Sequence, residues 1–121
     1  MAEMQKVYPG TWTYHVGDAF DFIRSACEDG LKFDVITLDP WVYLQQTTID
    51  HLWELVSLAS RYVVISLTDT HFFQRNHLAP TPDDVFRYFS ALDPRIHTAD
   101  VILSTPHAGG LYWCVLDVTG A

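Results

Sequence analysis

Positive charge is scarce in this sequence. Seven lysines and arginines stand against fifteen aspartates and glutamates, a net charge of −8. The basic residues are scattered, and binding to a nucleic-acid backbone rests on clustered Lys and Arg, so the composition argues against direct nucleic-acid contact. An acidic surface suits solubility or a basic protein partner. Cysteine is scarce too. Cys27 and Cys114 form no Cys-x-x-Cys pair and no framework. Both lie in apolar stretches, which favours two buried free thiols and leaves a disulfide between them open. No apolar run approaches the ~20 residues needed to span a membrane, and no basic segment followed by an apolar core opens the chain. The expectation is a soluble, cytoplasmic protein with no membrane partner.

Several catalytic signatures are missing as well. There is no Gly-x-Ser-x-Gly elbow and no P-loop. His71 and His77 share one loop, and His97 and His107 flank one apolar run, but none shows the tight spacing or Cys-His grouping of a zinc site. No metal site is expected.

What is present is ample material for one core. The 121 residues are 49% hydrophobic and 14% aromatic, which suits a single domain spanning residues 1–121, with residues 1–10 as a loose lead-in. Residues 11–16 alternate aromatic and β-branched with polar residues and read as a strand. Asp18 then reads as the N-cap of a helix over 19–29, with Gly30 as its C′ residue. Residues 33–39 read as a central strand buried on both faces, because Val35, Ile36 and Leu38 form an apolar run that Pro40 terminates. Thr47 and Asp50 suggest the start of a second helix over 48–60, with Ile49, Leu52, Trp53, Val56 and Ala59 as its inner stripe. Residues 62–67 form a second buried strand, and 71–80 a loop rich in polar residues. Thr81-Pro82-Asp83-Asp84 is a strong start signal for a third helix, which Asp93-Pro94 stops. Residues 100–104 read as a third buried strand and 111–118 as a fourth, joined to it in an antiparallel hairpin.

The pattern is β-α-β-α-β-α-β-β. It leads to a small Rossmann-like three-layer sandwich, a mainly parallel sheet with a C-terminal antiparallel hairpin. In such sheets ligands bind at the C-terminal ends of the strands. That places Asp39, Pro40 and Trp41 at one strand end, with Ser66, Thr68 and Asp69 at the next. A pair of carboxylates there, Asp39 with Asp69, could share a proton or a cation, although two solvated loop residues explain the same pattern.

Three features together resemble class I S-adenosylmethionine-dependent methyltransferases. They are Gly17-Asp18 at a strand end followed by an apolar helix, the run Phe33-Asp34-Val35-Ile36-Thr37-Leu38-Asp39-Pro40-Trp41, and the closing strand-turn-strand. The second is similar to the Asp-Pro-Pro-aromatic region of amino-group methyltransferases. The resemblance implies that Asp39 and a carbonyl at Pro40 would orient a target amine, that Trp41 would stack on it, and that Gly17 and Asp18 would contact the cofactor adenine. This is catalysis by positioning. Ser66 and Asp69, on the neighbouring strand end, would complete a cofactor-side edge.

The sequence departs from that pattern twice. It has one proline where the family has two, and the glycine-rich cofactor loop is missing, since the close pair Gly109-Gly110 lies in the hairpin. The chain therefore reads as a truncated methyltransferase half. Two functions follow. The first is a domain without independent catalysis that binds a protein partner or its own copy, of a kind that suits mobile elements such as phages. The second is a minimal S-adenosylmethionine-dependent amino-group methyltransferase, active alone or with a partner. Residues 11–16, as a sheet edge, are the expected dimer contact.

Overall fold

The computed structural model describes residues 17–105 and 110–120. The expected strand at 11–16, with its proposed dimer contact, and His107 lie outside the described residues.

Asp18 sits in extended backbone and its carboxylate accepts from Phe20 N and Asp21 N, which starts helix α1 (Ala19–Glu28). Gly30, at φ +72°, follows the helix end in the left-handed conformation. Strand β1 (Phe33–Leu38) comes next. The second helix begins earlier than its apolar stripe suggests and is broken in the middle. A single 3₁₀ turn (Val42–Leu44) leads into α2 (Gln45–Asp50), and His51 separates it from α3 (Leu52–Leu58). Thr47 is inside α2, not its cap: its carbonyl bonds His51 Nδ1, while the Thr48 hydroxyl donates back to Leu44 O. Such back-bonding competes with the regular helix ladder.

Strand β2 (Ala59–Thr68) takes over at once, so Ala59 belongs to the sheet. A five-residue π-helical turn (Asp69–Phe73) leaves it. Helix α4 (Pro82–Leu92) starts where the sequence signals it, with the Thr81 hydroxyl accepting from Asp84 N at 3.4 Å. Strands β3 (Thr98–Thr105) and β4 (Leu111–Asp117) pair antiparallel, as the hairpin reading requires.

Among the described residues the sheet order is β1-β2-β4-β3, and only β1 and β2 pair parallel. This overturns the expectation of a mainly parallel Rossmann-like sandwich. β4 inserts antiparallel between β2 and β3, so two strands that would have been parallel neighbours never meet. Apolar runs look alike in either kind of pairing, and sequence pattern does not name a strand's neighbour. The three-layer expectation also fails among the described residues, because the helices lie on one face. Val63, Ile65, Leu67, Cys114 and Leu116 are buried beneath them, joined by half-buried Ile36, Leu38 and Val101. The residues that alternate with these, Val64, Val115 and Trp113, stay half-buried on the other face.

Among the described residues β1 is an edge, not the central strand. Val35 is 48% exposed, and a groove of about 530 Å³ runs along it, lined by Phe22 and Ile23 of α1 and by Leu31, Phe33, Val35 and Leu38. β3 is the other edge, and its Ile102 is 53% exposed. The strand that is buried is β2. Phe72 and Phe73, in the segment that reads as a polar loop, are fully buried and anchor an aromatic cluster with Tyr88, Phe89 and Tyr112.

Candidate functional site

Asp39, Pro40 and Trp41 follow the last residue of β1, at the C-terminal end of the parallel pair β1–β2. Ser66 is on β2 beside them. It is buried, and its hydroxyl donates to Asp39 Oδ1. A carboxylate accepting from a buried hydroxyl is held in place more firmly than one in open solvent. Trp41, at 73% exposure, projects from the same end. Tyr43 is exposed one step further on.

Asp69 follows the end of β2 and opens the π-helical turn. Its amide donates to Gly110 O at 3.0 Å, tying the π-helical turn to the start of β4. Asp18 uses its carboxylate on the α1 cap. Gly17, at φ +144°, needs its missing side chain for that conformation; a Cβ there would meet nothing within 4 Å. Ala19 of α1 and Leu38 of β1 line one groove, whose lining includes none of Gly17, Asp18, Asp39, Pro40 or Trp41.

Gln45 escaped sequence reasoning. It is only 3% exposed. Its Oε1 accepts from Thr68 N and Thr68 Oγ1 at 3.4 and 3.3 Å, bridging α2 to the end of β2. A glutamine beside another in an amphipathic stretch gives no sign of burial, so no signal pointed to it. Between the segment leaving β1 and the turn leaving β2 lies a cavity of about 350 Å³, lined by Tyr43, Gln45, His71, Phe72, Arg75 and Asn76 among others.

One group is shifted in a way that bears on chemistry. Burial pushes the Cys114 thiol up to about 12, so it is neutral and inert as a nucleophile. Cys27 is half-buried and, like Cys114, free. Among the described residues no three His, Cys, Asp or Glu side chains gather as a metal site, and no helix is long and apolar enough to cross a membrane.

Comparison with family models gives no match, and comparison with curated proteins gives none either.

Proposed function

We propose that this chain is a methyltransferase-like domain that works as a binding module for a protein partner and does not catalyse methyl transfer alone. The observation that carries this reading is the sheet face opposite the helices. Among the described residues no helix packs on it, yet it carries half-buried Tyr62, Val64, Trp113 and Val115 and exposed Ile102 across β2, β4 and β3. An apolar sheet face with no helix laid over it is a candidate interaction surface. On the same face Asp100 of the edge strand β3 pairs with Val115, and Asp117 pairs with Tyr62 and Thr98, with Arg61 over the Tyr62 ring. With a net charge of −8 behind it, the partner it fits is an apolar ridge flanked by Lys and Arg, not a second acidic copy.

The cofactor that the resemblance implies fits poorly. S-adenosylmethionine needs close backbone approach, which glycines provide. The described glycines stand singly, and at Gly17, Gly30 and Gly120 the space beside the backbone is open instead of forming a cradle. Asp18 is already engaged by two backbone amides.

A second reading is an amino-group methyltransferase. One observation favours it: Asp39 is fixed by Ser66 beside the exposed ring of Trp41, an arrangement suited to orienting an amine.

Two measurements decide. Titration calorimetry with S-adenosylmethionine and with S-adenosylhomocysteine is expected to show no heat; heat that Asp39→Ala weakens would establish the second reading. Sedimentation is expected to show a monomer that binds a helical peptide with a leucine stripe and lysine flanks. It should bind the glutamate-flanked counterpart less, and Val64→Asp should lose both. A dimer dissociated by Val64→Asp would mean that a second copy covers the face. A monomer that binds neither peptide would remove the binding-module reading.

A further inference from the structure

The cavity between the β1 and β2 ends has a chemistry unlike the rest of this acidic chain. Gln45 is its buried member. A side-chain amide offers one acceptor oxygen and two N–H donors. The Thr68 amide can only donate, so the oxygen must face Thr68, which turns Nε2 away from it. Nε2 has no hydrogen-bond partner among the described residues. Buried donors are almost always paired, and one left unpaired beside a cavity calls for a ligand.

The rest of the wall holds one cation, Arg75, and the ring of His71. The π-helical turn and the turn after it place His71 and Arg75 on the same cavity, while Phe72 points into the core. Single π-helical turns recur at functional sites because they re-aim side chains in this way. Arg75 forms no ion pair among the described residues, and no carboxylate lines the cavity. Gln46, also on the wall, donates its Nε2 to Asp50 at 3.1 Å, which occupies that nearby acid. An arginine left free of carboxylates in a chain with fifteen acidic residues is an anion receptor by chemistry.

We propose that this cavity binds the oxyanion of a small molecule, a carboxylate or a phosphate, with Gln45 Nε2 and Arg75 donating to the oxygens and His71 adding a third donor. Tyr43, exposed at the mouth, offers ring surface to the carbon part. At about 350 Å³ the space is at the lower end for small-molecule sites. The inference does not depend on the partner-binding face, which is carried by other residues.

The test is a titration of the full chain followed by NMR of the side-chain amides, with inorganic phosphate, phenyl phosphate and benzoate as probes and chloride at matched ionic strength as control. The Gln45 amide should shift saturably with at least one oxyanion and not with chloride. Stronger binding of phenyl phosphate than benzoate identifies a phosphate ester, and the reverse a carboxylate. Arg75→Gln changes an exposed residue and should weaken binding at least about tenfold, equivalent to ~1.4 kcal/mol. Gln45→Glu keeps the acceptor for Thr68 and places a negative charge where the donor was; it should abolish the shift while the backbone spectrum stays that of the folded chain. Equal shifts with chloride, undiminished binding in both variants, or no shift with any probe overturns the proposal.

Discussion

The guanidinium of Arg95 sits over the indole of Trp53, 3.7 Å from the ring centroid. The same side chain donates to Asp93 Oδ2 at 2.7 Å, to Ser57 Oγ at 2.9 Å and to Trp53 O at 2.9 Å. One arginine thus ties the end of α4 to α3, and it does so against a carboxylate that is 1% exposed. A planar fork with a stackable face is needed for all of this together, which lysine lacks.

Removing Arg95 leaves a buried carboxylate without its cation. Arg95→Met is expected to cost about 3 kcal/mol, at the lower end for orphaning one partner of a buried pair. Arg95→Lys should recover only part of it. Urea unfolding with an unchanged slope is the check.

Acid should unfold the protein partly through the same pair. Burial by itself would push Asp93 up, but the hydrogen bonds and charge of Arg95 outweigh it and hold the carboxyl below its ordinary value. A lowered folded value means that the stabilisation is complete above the unfolded value, about 4, and is lost as pH falls through the folded one. Asp117 is held down in the same direction, first by its hydrogen bonds from Thr119, but it is only half-buried and contributes less. Asp93→Asn is expected to lower stability at neutral pH and to flatten its decline below about pH 4, followed by thermal unfolding across pH.

Alkali acts through Cys114 with the opposite sense. Its raised value means that stability is present below the unfolded thiol value, about 8.5, and is lost as pH rises from there towards about 12. Cys114→Ser trades that loss for a buried hydroxyl. In the native chain a thiol reagent is expected to modify Cys27 first and Cys114 only after unfolding, which mass spectrometry of partly labelled protein will separate.

The two kinds of apolar residue should respond differently to substitution. Phe72→Ala removes a buried ring in contact with three others and is expected to cost about 3–5 kcal/mol. Ile102→Lys changes an exposed side chain on the open sheet face and should stay within about 0.5 kcal/mol. Denaturant midpoints compare them. A large loss in Ile102→Lys would mean that the face is covered in the isolated chain.

Much of the local structure could be read from the sequence because its signals are chemical and short-range. Asp18 and Gly30 bracket α1, and Thr81-Pro82 opens α4, through side-chain and backbone preferences that act within a few residues. What escaped was set by distant partners. Val35 and Ile102 sit in runs that look buried, yet their strands are edges, and edge or centre depends on which strand arrives alongside. Phe72 and Phe73 were hidden among polar neighbours because a π-helical turn, not a regular period, aims them inward. At the site, the strand-end position of Asp39 was legible from Pro40. The partnership with Ser66 was expected only as a shared edge, and the buried amide of Gln45 left no trace in the pattern.

The insertion of β4 between β2 and β3 fixes an order of events when the protein folds. The loop closures that matter are non-local, since Tyr62 pairs with Asp117. Until β4 docks, β2 has a partner on only one side and β3 has none, so the early compact chain carries bare edges. Contacts of such long sequence separation form late and slow the search. During synthesis, β2 and α4 therefore emerge and wait, and a chain stalled before residue 111 presents sticky strands to its neighbours. Any substitution that delays β4, such as a proline within Leu111–Asp117, is a hazard first to the yield of folded protein and only second to the stability of what does fold.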